Sequence, residues 1–228
     1  MNGHLTVGGL AEVQRRIAIA AERAGREPAA ITLVAVSKTK GPDAILPVLQ
    51  AGHRVFGENR VQEAAAKWPA LRRDYAGITL HLIGPLQTNK AADAVGLFDV
   101  IESLDREKLA RVVAREMARQ NRHPACFVQV NTGAEPQKAG VLPDDADRFI
   151  ALCRDELMLP VAGLMCIPPA GDDPSGHFDQ LAALARRNDL TALSMGMSGD
   201  FEIAVAHGAT IVRVGSAIFG ERKASPSA

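Results

Sequence analysis

Hydrophobic residues along this chain follow two alternating rhythms, short β-branched apolar runs and longer stretches with helical spacing. A first helix is expected over residues 7–24, where Leu10, Val13, Ile17 and Ala20 form one stripe opposite arginines. Gly25 and Pro28 end it. Strands are expected at 32–37, 54–56, 80–83, 100–102, 125–130, 161–166, 192–195 and 210–214. Helical segments lie between them, among them 60–75, 106–120, 144–154 and 176–187, with Asp105 and Ser175 as N-caps. Eight strands alternating with helices predict a single (β/α)8 barrel of the TIM type, preceded by an extra helix. Strand two is short, and its position is the least constrained. A doubly wound open sheet is the alternative, but no glycine-rich dinucleotide fingerprint follows strand one. The barrel is expected to occupy residues 1–222, with 223–228 as a disordered tail.

Two charges interrupt this pattern. Lys38 ends the apolar run Ile31-Thr32-Leu33-Val34-Ala35-Val36-Ser37-Lys38. In a parallel barrel that end of the strand opens onto the active-site face. Desolvation there disfavours the ammonium form, and the free amine is the nucleophile that Schiff-base chemistry with an aldehyde requires. Taken alone, the segment fits a lysine simply leaving a strand into solvent better. Arg213 lies inside Thr210-Ile211-Val212-Arg213-Val214, where an unpartnered guanidinium is costly. It pairs either with a ligand atom or with a carboxylate in the barrel core.

The loops expected after strands seven and eight are Ser194-Met195-Gly196-Met197-Ser198-Gly199-Asp200 and Val214-Gly215-Ser216-Ala217-Ile218-Phe219-Gly220. These are the two places where barrels of this kind hold phosphate at helix N-termini. Gly215 lets the backbone approach an anion, and the Ser198 and Ser216 hydroxyls can donate to it. As single features, both serines read more simply as helix caps.

Composition narrows the classes. Twenty-six basic and 26 acidic side chains balance, so charge does not point to nucleic acid or an anionic membrane surface. No run approaches membrane-spanning length and no secretory signal is visible, so a cytoplasmic location is expected. Cys126, Cys153 and Cys166 are far apart and form no CxxC pair, which fits reduced core thiols. No His or Cys shows metal-ligand spacing, and no metal is expected. His81 reads as a hydrogen-bonded strand histidine. Lys138 reads as a loop lysine or a gate over the pocket, and Lys40 and Lys90 as alternative amines that terminate no strand.

An amine at one end of a pocket and a phosphate cup at the other suit pyridoxal 5′-phosphate (PLP), an aldehyde that carries a phosphate. Five blocks carry a family resemblance. They are Val34-Ala35-Val36-Ser37-Lys38-Thr39-Lys40, Phe56-Gly57-Glu58-Asn59-Arg60-Val61-Gln62-Glu63, His81-Leu82-Ile83-Gly84-Pro85-Leu86-Gln87-Thr88-Asn89-Lys90, Ser194-Met195-Gly196-Met197-Ser198 and Val212-Arg213-Val214-Gly215-Ser216-Ala217-Ile218-Phe219-Gly220. Together they closely resemble the pyridoxal phosphate homeostasis proteins (YggS/PROSC-like), relatives of the alanine racemase N-terminal barrel. The resemblance runs from the first helix to Gly220. It implies an aldimine on Lys38, phosphate contacts at Ser198, Gly215 and Ser216, Arg213 facing the pyridine nitrogen, and Asn59 lining the pocket. It implies a role in intracellular vitamin B6 homeostasis without turnover, with PLP as ligand and PLP-dependent apo-enzymes as recipients.

The chain departs from the racemases in their acid/base groups. Its one tyrosine, Tyr75, falls in a helix, and Thr39-Lys40-Gly41-Pro42 follow Lys38 where the racemases place a tyrosine. The racemases' C-terminal β-domain has no counterpart here either, so a monomer is expected, with a weak dimer as the alternative. A weak racemase or other Cα-chemistry enzyme, and a cofactor-free Schiff-base aldolase, remain the competing readings.

Overall fold

The structure, a computed structural model, describes residues 2–220, so the expected 223–228 tail lies outside the described residues. Eight parallel strands close into a barrel in sequence order. They are β1 Thr32–Val36, β2 Val55–Glu58, β3 Thr79–Leu82, β4 Val100–Leu104, β5 Ala125–Val130, β6 Val161–Cys166, β7 Ala192–Ser194 and β8 Ile211–Val214. β1 pairs with β2 and with β8, Leu33 opposite Val212, which seals the cylinder. Helices α2 Pro42–Gln50, α3 Val61–Asp74, α4 Ala91–Leu97, α5 Glu107–Gln120, α6 Ala146–Ala151, α7 Ser175–Arg187, α8 Phe201–Ala206 and α9 Ser216–Phe219 follow the strands. Before them runs α1, Asn2–Arg23, which buries Leu10, Val13 and Ile17 as the periodicity predicts.

Four local expectations change. α1 starts at Asn2, earlier than residue 7, and Thr6 is buried along with the apolar stripe. β2 lies at Val55–Glu58 and takes in Gly57, where a Cβ would meet Val34 of β1 on one side and Ile83 just beyond β3 on the other, the nearer at 2.8 Å. Asp105 does not cap α5, since its carboxylate pairs with Arg106, the residue at the cap position. Ser175 is the first residue of α7, and it donates its N–H and hydroxyl to Asp173 at 3.1 and 2.8 Å.

Strand side chains alternate between the helices and the barrel interior. The helix-facing set merges into one large core around Phe56, Trp68, Phe98, Phe178 and Phe201. The interior set forms a smaller plug of Val34, Val100, Phe127, Met165 and Ile211. Above the plug, toward the C-terminal ends of the strands, the interior turns polar. All three cysteines are buried, unpaired thiols, and burial raises each thiol pKa. No helix among the described residues is long and apolar enough to cross a membrane. No described cluster of three His, Cys, Asp or Glu is placed to hold a metal.

Candidate active site at the barrel mouth

One cavity of about 340 Å³ opens at the C-terminal mouth, within the usual size range of ligand sites. Lys38, Asn59, Ser198, Arg213, Gly215 and Ser216 all line it, joined by Val36, Thr39, Ile83, Ile167, Met197, Gly199 and Gly220. The chain thus brings all six sequence-predicted residues to one place, from the loops after β1, β2, β7 and β8, from β8 itself and from the first residue of α9. Lys40, Lys90 and Lys138 do not line it. Lys40 Nζ donates to Phe219 O at 3.0 Å, Lys90 sits near Asp93, and Lys138 donates to Pro168 O and pairs with Glu135.

Each group reaches the cavity by the alternation of its strand. Val34, Val36 and Lys38 step upward along β1, and Ile211, Arg213 and Gly215 do so along β8. After β7 the chain turns at Gly196, with φ of +90°, and a Cβ there would lie 2.5 Å from that of Ala204. That turn delivers Ser198, whose Oγ accepts the Gly215 N–H at 3.2 Å. The Gly215 N–H is therefore already used, while the Ser198 hydroxyl proton stays available to an outside acceptor. The first N–H groups of α9, at Ser216 and Ala217, have no acceptor within so short a helix.

Arg213 is both things the sequence allowed, a barrel-core ion pair and a cavity residue. Its guanidinium is 3 % exposed, donating to Ser194 Oγ at 2.7 Å and Cys166 O at 2.8 Å, and it lies 3.9 Å from Glu102. Glu102 in turn accepts from Ser194 Oγ at 2.5 Å and bonds His81 Nδ1 at 2.6 Å. Burial pushes the Glu102 carboxyl up, but the hydrogen bond and charge of His81, the Arg213 charge and the Ser194 hydroxyl together bring it below its ordinary value. His81 thus has the structural partner expected of a strand histidine, and Glu102 fixes the orientation of Arg213 through Ser194.

A second buried pair backs the wall behind Lys38. Glu58 Oε1 accepts from Ser37 Oγ at 2.5 Å and Trp68 Nε1 at 3.1 Å, with Lys67 Nζ 2.8 Å away. Burial raises the Glu58 carboxyl above its ordinary value, against the pull of Lys67, Ser37 and Trp68. Sequence reasoning missed Glu102, Ser194, Glu58 and Lys67. For Glu102 a signal existed, the same one that exposed Arg213: a charge inside an apolar strand, Val100-Ile101-Glu102-Ser103-Leu104.

The family model for the alanine racemase N-terminal domain matches residues 9–223. The "Pyridoxal phosphate homeostasis protein" of Aquifex aeolicus is 39% identical over 223 residues, covering 94% of this chain and 97% of that protein. The chain belongs to the pyridoxal phosphate homeostasis protein family. PipY of Synechococcus elongatus, solved with PLP bound, is 37% identical to this chain with a TM-score of 0.78, covering 91% of this chain and all of that one. An alanine racemase of Clostridium difficile shares the fold at a TM-score of 0.73 and 12% identity, with 98% of this chain but 58% of the racemase covered.

Proposed function

We propose that this family member binds PLP in the mouth cavity, attached through Lys38, and serves PLP homeostasis as a carrier. The observation that carries the reading is the grouping of three unlike chemistries in one cavity: the Lys38 amine, the Arg213 guanidinium and the Ser198–Ser216 cup. Those chemistries match an aldehyde, a ring nitrogen and a phosphate in turn, so the residues fit the cofactor. PLP would bring an electrophilic aldehyde to the amine and an electron-withdrawing ring to the site.

Ser198 and Ser216 hold the phosphate with their hydroxyls, and Asn59, after β2 on the other side of Lys38 from the cup, lines the wall. Arg213, which can only donate hydrogen bonds, supports a ring nitrogen in its unprotonated form. An unprotonated ring is a weak electron sink, so the arrangement favours holding PLP over Cα chemistry. Tyr75, at the C-terminal cap of α3, does not line the cavity, so the one tyrosine offers no acid/base group there. In this reading the protein works in the cytoplasm as a monomer and gives PLP up to apo-enzymes.

Titrating the purified chain with PLP tests the reading through the absorbance of a protein-bound Schiff base. Saturable appearance of the band is expected, with alanine Cα–H exchange in deuterated water staying near the rate given by free PLP. Exchange far above that rate and dependent on Lys38 would make the protein an enzyme. Absence of the band, with Schiff-base trapping of a phosphorylated sugar instead, would favour the aldolase.

A further inference from the structure

The turn that carries Lys38 is held in an unfavourable shape. Thr39 has φ of +62°, in the left-handed region that β-branched residues avoid. Among the described residues the other non-glycine positions with positive φ are Asn121, Ala134, Met158 and Asp189, none of them β-branched. The turn is closed by Lys40 N–H donating to Ser37 O at 3.1 Å. One such bond does not select the left-handed form, so something else must hold it.

What holds it comes from α3. Lys67 Nζ, 6 % exposed, donates to Ser37 O at 2.9 Å and to Lys40 O at 3.0 Å, the two carbonyls that bracket Lys38 and Thr39. Glu63, one helical turn earlier on the same face, accepts the Thr39 N–H at 2.5 Å and Lys67 Nζ at 2.9 Å. Glu58 completes the set of acceptors around the buried ammonium at 2.8 Å. An ammonium out of water needs such partners, so Lys67 is committed to these oxygens and is not a spare amine. The strained residue, its neighbour Lys38 and the cavity are therefore tied to one face of one helix.

We infer that Lys67, seconded by Glu63, is a positioning residue: it locks the 37–40 turn in its left-handed form and so aims the Lys38 amine into the cavity. Strained backbone of this kind persists only where its surroundings over-determine it, and it concentrates at functional sites. Without the clamp, Thr39 relaxes toward ordinary φ and swings Lys38 away, while the phosphate cup on β7 and β8 stays in place. The inference rests on the proposed covalent role of Lys38.

The test compares two ligands on the full chain: PLP, and pyridoxine 5′-phosphate, which has the same ring and phosphate but no aldehyde. Lys67→Met should weaken PLP and its Schiff-base band by roughly tenfold or more, as expected when a strained turn is released, while pyridoxine 5′-phosphate stays within about twofold. Adding Thr39→Gly should recover most of the loss, because glycine adopts positive φ without strain. If Lys67→Met does not fold, Glu63→Gln, at a half-buried position, should show the same selective loss at about threefold. Equal weakening of both ligands, an unchanged band, or no recovery with glycine would overturn the inference and leave the proposed function standing. An unmodified chain that never forms the band overturns both.

Discussion

The floor and the mouth of this barrel are made by the same strands and have opposite character. At the floor, Val34, Val100, Phe127, Met165 and Ile211 fill the interior with hydrocarbon. Two residues further along the same strands the interior holds Glu102 and Arg213, and Ser194 lies one step above Ala192. One more step reaches Lys38 and Gly215 at the cavity. Because side chains point inward at every second residue, β4 and β8 pass from apolar to charged in one inward step, at Glu102 and Arg213, while β1 stays apolar through Val36 and then delivers Lys38. The floor is stabilised by burial alone, which tolerates substitutions of similar volume. The mouth instead depends on a few groups whose neighbours are specified one by one, as Arg213 depends on Ser194 and Glu102.

The sharpest way to break this contrast is to remove one group from each end. Lys38→Ala should abolish the Schiff-base band with PLP while leaving thermal unfolding nearly unchanged, and absorbance with calorimetry reads both. Phe127→Ala, at the floor, should do the reverse. It should cost about 3–5 kcal/mol of stability by chemical denaturation, with PLP affinity of the folded protein retained. Loss of affinity from the floor variant would mean that plug and mouth are one coupled unit.

Within the mouth, the cup and the amine separate by ligand. Ser198→Ala or Ser216→Ala should each weaken PLP by on the order of 1.5–3 kcal/mol, the range for hydrogen bonds to charged groups, and barely affect pyridoxal, which lacks the phosphate. Equal weakening of the two ligands in binding titrations would make these serines structural caps.

The smallest expected effect is on acid stability. Glu102 has a folded pKa below its ordinary value, so the stability it contributes is present at neutral pH and is lost as pH falls through that lowered value. The loss should therefore appear below about pH 4, the ordinary range for a glutamate. Glu58, raised by burial, acts in the opposite sense and stabilises more as it takes up a proton. Denaturation midpoints measured from pH 3 to 7 should fall less steeply on the acid side in Glu102→Gln than in the unmodified chain.

Periodicity made the eight strands legible, and it placed β5 and β6 at the residues observed. Lys38 and Arg213 stood out for a chemical reason, because a charge is conspicuous where burial is otherwise complete, whereas Asn59 was placed only through the family resemblance. Gly57 in β2 was hidden, since a glycine reads locally as a break and only the approach of Val34 and Ile83 explains it. Hidden too was the left-handed turn at Thr39, whose cause lies 24 and 28 residues further on, at Glu63 and Lys67 of another element. Local propensity carries no record of such contacts. The caps misread at Asp105 and Ser175 have a local origin instead: the neighbouring Arg106 and Asp173 engage these two side chains.

The measurement that tests the central claim most directly is chemical trapping of the site. The full chain is saturated with PLP, reduced with borohydride, digested, and the phosphopyridoxyl group located by mass spectrometry. The account predicts one dominant label on Lys38. A dominant label on Lys40, Lys90 or Lys138, or labelling spread evenly over surface lysines, would contradict it.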